Sequence, residues 1–307
     1  MRPFQFIPPN TNIQFIRIRL LTFAVSAVMS VLSVVLFVMP GLNYGIDFRG
    51  GVMLEVRSTQ GAADLHAMRG KLSGLGLGEV ALQDFGSSND VLIRVESQGD
   101  ERAQNQAVTK VRQALGPGYD FRRTEVVGPK VGGELIEAGA IASLLSLLGI
   151  AIYVWFRFEW QFGVAALIAT AHDVITTIGL FAITQIEFNL STVAAVLTIA
   201  GYSINDTVVV FDRIRETLRK YKTLEFGELM NRAINDTLSR TIMTSTTTML
   251  AVLALVIFGG EVIRSFSIAM VWGILVGTYS SIYLAAPLLI YLRPPRPTEA
   301  AAASATP

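Results

Sequence analysis

Six long apolar runs limit what this chain can fold into. Each has about 20 residues, the length that a helix needs to cross the hydrocarbon core of a bilayer. Inside a bilayer every backbone polar group must be satisfied within the segment, so runs of this length favour transmembrane α-helices. Only 16% of the residues are charged, against about 25% in soluble domains. The sequence therefore predicts a membrane α-helical protein, with helices at 18–39, 135–155, 162–183, 188–211, 242–258 and 266–292.

The basic residues predict how these helices are oriented. Lys and Arg concentrate in the short segments that a cytoplasmic N-terminus would place inside, chiefly 213–240, whereas Arg264 is the cation of the short outer loops. Cytoplasmic loops carry such an excess. We therefore expect a multi-pass protein with both termini in the cytoplasm. The first run is longer than a signal-peptide core and lacks a cleavage pattern after it, so we interpret it as an uncleaved anchor.

This orientation divides the chain into segments. The predicted order is a cytoplasmic N-terminus at 1–17, a first helix at 18–39, a periplasmic domain at 40–134, five further helices within 135–292 with a cytoplasmic loop at 212–240, and a disordered cytoplasmic tail at 293–307.

The long segment between the first two helices has the pattern of a small α+β domain. Alternating residues at 51–58 predict a strand, and 119–127 predicts the last one. Two short strand candidates and two helical stretches lie between them. The second stretch opens with Asp100 and closes at Gly116, as a helix does. The order β-α-β-β-α-β is that of a ferredoxin-like unit.

Glycine-rich joints bracket this domain. They contain Gly45, Gly50 and Gly51 on one side, and Gly128, Gly132 and Gly133 on the other. Because glycine accepts large dihedral changes, these residues could be hinges on which the domain moves against the membrane. They could equally be plain linkers.

One carboxylate stands out inside the membrane. Asp206 lies in 189–211, a run otherwise free of charge. A carboxylate at that depth costs about 2.5–3.5 kcal/mol on insertion scales. A partner charge, a water-filled path or a proton that binds and leaves is needed to keep it there. We therefore predict that Asp206 is functional.

Arg240 is the candidate partner of Asp206, since it lies at the threshold of the fifth helix. Burial favours the neutral form of a carboxyl group, and a nearby guanidinium favours the anion. Movement of the arginine would therefore make the acid bind a proton in one state and release it in the other. The alternative is a static ion pair that only joins two helices.

Other polar residues lie within the spans. Asp173, in mid-span of the third helix, is a second candidate for proton coupling, whereas its neighbour His172 is more typical of a packing residue. The fifth helix begins with hydroxyl residues at helical spacing. Such stripes usually serve helix packing, but these residues could hold a file of waters beside the acid: Thr241, Thr244, Ser245 and Thr248.

Several site classes are excluded or disfavoured. The chain has no cysteine, which removes thiolate metal sites, disulfides and thiol nucleophiles. It has no phosphate-binding glycine motif. One histidine with two acids is too thin a set for a metal. We expect no catalytic residues, metal, cofactor or nucleic-acid partner.

The motifs together resemble the SecD/SecF family of bacterial protein-export subunits, on its SecF side, within the RND superfamily. They are GIDFRGG at 45–51, VGPKVGGEL at 127–135, FRFEW at 156–160, AHDV at 171–174, GYSINDTVVVFDRIRE at 201–216, LSRTIMTSTTT at 238–248 and IFGG at 257–260. The match covers nearly the whole chain in the right order.

The resemblance implies half of an RND-type arrangement in the bacterial inner membrane. Six helices would pair with six of SecD beside the SecYEG channel, and the proton gradient would help to draw the translocating preprotein out on the periplasmic side. The proton-coupling acid of the family corresponds to Asp206 and its arginine to Arg240. The remaining partners would be lipid and protons, with no chemical reaction catalysed.

Two other functions share some of these features. An RND-type exporter of small molecules or lipids also has a membrane acid, but it predicts a chain several times longer with two large periplasmic domains. An intramembrane hydrolase could use Asp173 and Asp206 if they faced each other. Neither acid has the sequence context of that class.

Overall fold

A computed structural model describes residue 8 and residues 11–294. The predicted disordered tail lies almost wholly outside the described residues, as does much of the predicted N-terminal segment. The elements in chain order are α1 (Arg19–Val38), α2 (Ile46–Arg49), β1 (Gly51–Ser58), α3 (Leu65–Ser73), β2 (Val80–Phe85), β3 (Ser87–Val95), α4 (Glu101–Leu115), β4 (Tyr119–Val127), α5 (Pro129–Arg157), α6 (Trp160–Thr184), α7 (Leu190–Lys220), α8 (Phe226–Phe258), α9 (Arg264–Ser280) and α10 (Ala286–Leu292).

The predicted membrane helices are confirmed. Six helices of the described chain are long and apolar enough to span a bilayer, each overlapping one predicted run. The last of them is α9, continued through a π-helical turn at Ser281–Ala285 into α10. The chain is therefore a multi-pass membrane protein.

Two of these helices extend beyond the predicted spans. α7 continues to Lys220 and α8 begins at Phe226. The stretch 212–240 is therefore two helix extensions joined by a short turn rather than a loop. The extension of α8 holds the segment before α1, since Asn231 Oδ1 accepts a hydrogen bond from Ile16 N at 3.0 Å.

The segment between α1 and α5 forms the ferredoxin-like unit, called here the α+β domain (residues 51–127). Its antiparallel sheet has the order β2-β3-β1-β4. Val52, Leu54 and Val56 alternate along β1 and are fully buried. They form one core with apolar residues of α3 and α4, such as Met68 and Val111. The helices thus cover one face of the sheet and leave the other face open.

An ion pair stabilises the far end of this sheet. Arg57 Nε lies 2.5 Å from Asp90 Oδ1 across the β1–β3 pair. The Arg57 guanidinium lowers the pKa of Asp90 to about 2. A depressed carboxyl pKa means that this stabilisation is present above the ordinary pKa and is lost as the pH falls toward 2.

The membrane helices pack around α6, α7 and α9, where most of their buried residues lie. α7 and α9 approach closely because two glycines of α9 face α7. A Cβ on Gly273 would collide with the Ile199 side chain, and one on Gly277 would lie 3.3 Å from Ser203 Cβ. By contrast α5 and α8 present exposed apolar side chains such as Leu144 and Leu250.

We predict that Gly273→Ala destabilises the full chain in detergent by about 1–3 kcal/mol, because overpacking forces α7 and α9 apart. The measurement is the thermal unfolding midpoint. Gly201→Ala is the matched control, since no heavy atom lies within 4 Å of a Cβ placed there. Equal midpoints for the two variants would show that the two helices do not need this close contact.

Candidate functional site

Asp206 lies in the middle of α7 and is half-buried against α8 and the π-helical turn that follows α9. Its Oδ1 accepts a hydrogen bond from Thr241 Oγ1 of α8 at 2.8 Å. Its Oδ2 is buried and has no hydrogen-bond partner among the described residues. A carboxyl group with one free buried oxygen can take up a proton without breaking an existing hydrogen bond.

Arg240 lies near this carboxyl group without bonding to it. The guanidinium is close enough for its charge to act on the Asp206 carboxyl group, and the Ser281 hydroxyl lies beside the same group. The two side chains form no ion pair within hydrogen-bonding distance, and Arg240 is exposed. The geometry therefore differs from the static ion pair that the sequence left open.

The hydroxyl residues of α8 divide into two groups. Thr241 contacts the acid, and Ser245 bonds to Thr278 Oγ1 of α9 at 2.6 Å. Thr244 and Thr248 donate to backbone carbonyl oxygens of their own helix. Of the predicted stripe, the structure thus brings one residue to Asp206.

The second predicted acid, Asp173, is the centre of a separate polar cluster. It is fully buried. Its Oδ2 accepts hydrogen bonds from Ser203 Oγ of α7 at 2.5 Å and from Ser280 Oγ of α9 at 2.6 Å. Its Oδ1 lies 2.9 Å from His172 Nδ1. Asp173 therefore binds to serines rather than to Asp206, an arrangement unlike that of paired catalytic aspartates.

Four small hydroxyl residues contribute to these sites without a signal in the sequence that predicts it. Ser203 and Ser280 bond to Asp173, while Thr207 and Ser281 bond to each other at 2.9 Å beside Asp206. Serine and threonine are common in membrane helices as packing residues, so their identity carried little signal. The feature that could have indicated it is the adjacent pair Ser280-Ser281, because Ser281 continues the spacing of four residues from Gly273 to Gly277.

A second region of interest is the junction between the α+β domain and the membrane helices. Asp47 of α2 accepts a hydrogen bond at its Oδ2 from the backbone amide of Leu190, the first residue of α7, at 2.9 Å. A carboxylate suits this position because helix N-termini have free amides and a positive dipole end. Backbone bonds join Gly45 N to Phe188 O and Phe188 N to Asn43 O.

An ion pair joins the sheet to the segment between α6 and α7. Arg94 of β3 bonds to Glu187 in the segment between α6 and α7, and both side chains are largely buried. Burial raises the pKa of Glu187, more than the nearby Arg94 lowers it. Asp47 and Glu125 are also nearby and raise the pKa of Glu187 further. The contact of the α+β domain with the membrane helices, called docking below, therefore holds Glu187 in a poorly solvated position.

Two of the predicted hinge glycines of the first joint have positive φ, Gly50 at +70° and Gly51 at +125°. A Cβ on Gly45 would collide with the Glu187 carboxylate, and one on Gly132 would lie 3.1 Å from Phe48 O. The remaining two, Gly128 and Gly133, have open space. The first joint is thus closely packed in this structure.

The open face of the sheet faces the segment between α6 and α7. A polar cleft of about 430 Å³ lies between the sheet and the membrane helices. It is lined by sheet residues such as Gln83 and Glu125 and by Ser191 of α7 and Ser265 of α9. Within the described residues, no group of three or more His, Asp or Glu side chains is placed to hold a metal ion.

Comparison with known proteins identifies the family of this chain. The model "Protein export membrane protein SecD/SecF, C-terminal" matches residues 107–294, and the "SecD/SecF GG Motif" matches residues 35–62. The protein translocase subunit SecF of Rickettsia rickettsii (strain Sheila Smith) is 48% identical over 291 residues, which are 94% of each chain. The chain belongs to the SecD/SecF family. SecF of Rickettsia felis is likewise 48% identical over 291 residues.

Solved SecDF structures share the fold of this SecD/SecF family member. The crystal structure of SecDF from Thermus thermophilus matches with a TM-score of 0.85 and 36% identity, over 95% of this chain and 40% of that chain. A structure of SecDF in a "Super-membrane-facing form" matches with a TM-score of 0.71, also at 36% identity, over 100% of this chain and 42% of that chain. The present chain thus spans less than half of SecDF.

We predict that Arg94→Gln loosens the α+β domain, because the buried Glu187 carboxylate then lacks its cation. Since the chain has no cysteine, spin labels on cysteines introduced at Thr59 and Ile183 would report the distance between domain and membrane helices. The distance distribution should broaden. Arg57→Gln is the control, because it breaks an ion pair of the same domain far from the junction; equal broadening there would contradict the assignment.

The same labels test the pH dependence of docking. Because the pKa of Glu187 is raised in the docked domain, the docked form binds a proton more readily than the undocked form. Docking should therefore strengthen as the pH falls through the raised value and weaken above it. Glu187→Gln should remove this pH dependence, while a response unchanged from wild type would assign it to another group.

Proposed function

We propose that this chain is the SecF-type subunit of a bacterial protein-export complex and that, with SecD, it couples proton flow to late steps of export on the periplasmic side of SecYEG. It would reside in the inner membrane with both termini in the cytoplasm and the α+β domain in the periplasm. In this role it carries out no chemical reaction; its substrate is the translocating preprotein.

The observation that supports proton coupling best is the state of Asp206. Its carboxyl group is half-buried in mid-membrane, with one oxygen bound to Thr241 and the other without a partner. Arg240 is close enough to act on it but does not bond to it. An arginine that approached would favour the anion and expel the proton, and one that withdrew would favour its return.

The energy available fits a conformational cycle. Each proton that crosses the membrane releases about 2.3 kcal/mol per 100 mV. Global states of proteins commonly differ by a few kcal/mol, so proton binding can shift their populations. Binding and release of a proton by Asp206 can therefore drive a conformational change without a chemical intermediate.

α7 supplies a path from the acid to the domain. The helix is continuous from Leu190 to Lys220. Its first amide bonds to Asp47 in the first glycine joint, and its middle carries Asp206. The acid thus lies roughly 24 Å along one helix from the joint, at 1.5 Å per residue. A shift of α7 that follows protonation would move the joint and, through it, the α+β domain.

The glycine joints would then act as the bending points of the cycle. Gly128 and Gly133 have the free space that a bend requires. In the first joint a Cβ on Gly45 would collide with Glu187 and one on Gly51 with the carbonyl oxygen of Val95. We therefore propose that bending there follows release of the contacts with Glu187 and Phe188.

We expect Asp206→Asn to assemble normally and to lose the part of export that depends on the proton gradient, because asparagine cannot exchange a proton. The measurement is export into inverted vesicles that contain this chain, SecD and the channel, with and without the gradient. Asp212→Asn is the control, since this exposed carboxylate pairs with Arg157 at the end of the membrane span. Gradient-dependent export at the wild-type rate in Asp206→Asn would refute the proposal.

A cross-link should test the movement of the domain. Asp84 of the sheet and Val262 next to α9 line the same cleft. Cysteines at both positions, joined by a bismaleimide, should block gradient-dependent export because the domain can no longer move away. Each single-cysteine variant treated with the same reagent is the control. Unimpaired export by the cross-linked chain would show that the joints are linkers.

A further inference from the structure

The π-helical turn between α9 and α10 changes how two neighbouring serines are directed. In an α-helix consecutive side chains point about 100° apart, whereas a π turn widens the helix and often occurs at functional sites. Ser280 precedes this turn and Ser281 begins it. Ser280 bonds to Asp173 of α6, while Ser281 bonds to Thr207 of α7 and lies beside Asp206.

The two serine hydroxyls share one neighbour. The carbonyl oxygen of Gly277 lies within hydrogen-bonding distance of both, 3.2 Å from Ser280 Oγ and 2.9 Å from Ser281 Oγ, although Ser280 has its shorter bond, of 2.6 Å, to Asp173. All these groups are buried between α6, α7 and α9. The two hydroxyl groups thus lie on either side of one carbonyl oxygen, Ser280 next to Asp173 and Ser281 next to Asp206, without a hydrogen bond between them.

The two acids lie at different depths along α7. Asp173 bonds to Ser203, which precedes Asp206 by three residues. At 1.5 Å per residue, Asp173 is therefore about 4.5 Å nearer to the end of α7 that bears the α+β domain. A proton that enters from the domain side would reach the level of Asp173 first.

The surroundings of Asp173 suit transfer rather than a fixed charge. Its hydrogen-bond partners are Ser203, Ser280 and His172, and each can reverse its bond when the acid gains a proton. The Nε2 atom of His172 is buried and has no hydrogen-bond partner among the described residues. The Tyr279 ring also lies close by, with its centroid 6.3 Å from that of His172.

We propose that Asp173 is a second proton site and that Ser280 and Ser281 form the bridge over which a proton passes between Asp173 and Asp206. For transfer, both hydroxyl groups turn from the Gly277 carbonyl oxygen toward each other. Ser280 then accepts a proton from Asp173 and passes its own to Ser281, which passes its own to Asp206, so that both hydroxyls are regenerated and no bond to carbon changes. This inference rests on the proposed function, in which Asp206 exchanges protons.

The test is gradient-dependent export by the reconstituted complex with the bridge removed. Ser280→Ala and Ser281→Ala should each lower it about tenfold or more, the order of effect of a lost proton-transfer group. Ser280→Thr and Ser281→Thr keep a hydroxyl and should retain most of the activity. Ser267→Ala is the control, because Ser267 is a buried serine of α9 that bonds only to the backbone of Ile263 among its described contacts.

Infrared spectroscopy separates transfer from a structural role. The protonated-carboxyl band of Asp173, assigned with Asp173→Asn, should change with the gradient in the wild type. In Ser281→Ala it should no longer change together with that of Asp206.

The outcomes distinguish this inference from the function on which it rests. Wild-type export by Asp206→Asn would overturn both. Loss of gradient-dependent export in Asp206→Asn, with wild-type export by both serine-to-alanine variants, would overturn the bridge alone. Equal loss in the alanine and threonine variants, with unchanged thermal stability, would also overturn it.

Discussion

The close contact between α7 and α9 is the interaction on which the membrane part of this protein depends. Because Gly273 and Gly277 have no side chains, α7 lies directly against α9 along the line of Ile199 and Ser203. This proximity brings hydroxyl groups of both helices within hydrogen-bonding distance and excludes lipid from the space between them. In hydrocarbon, an acid is tolerated only where such polar neighbours surround it. The close packing at Gly273 and Gly277 therefore creates the polar surroundings in which Asp173 and Asp206 are tolerated within the membrane.

The same helix connects the membrane to the α+β domain. The first amide of α7 donates a hydrogen bond to Asp47, which belongs to α2. The segment that precedes α7 is held to the sheet by the ion pair between Glu187 and Arg94. These contacts come from α2 and from β3, which are far apart in the chain. A domain attached only by its two chain ends could move without affecting the bundle, whereas here its position and that of α7 are linked.

Much of the fold could be predicted because the signals were local. Alternation within 51–58 predicted the first strand, and the last strand was predicted at 119–127; both have the observed bounds. The long extensions of α7 and α8 could not be found from hydropathy, since their residues are polar on the side that faces water. Asp206 was conspicuous as the one charge in its run. The Arg94–Glu187 ion pair could not be predicted from the sequence, because its members are 93 residues apart and meet only in the tertiary structure.

The unbroken course of α7 also limits how this family can vary in sequence. One residue inserted between Leu190 and Asp206 would turn the acid by about 100° around the helix axis and direct it away from α8 and α9. Compensation would require about four residues together, which would push the capped end a full turn away from Asp47. Surface loops generally tolerate changes of length, whereas this helical interval should not. Its length should therefore be as invariant among functional relatives as the identity of the acid itself.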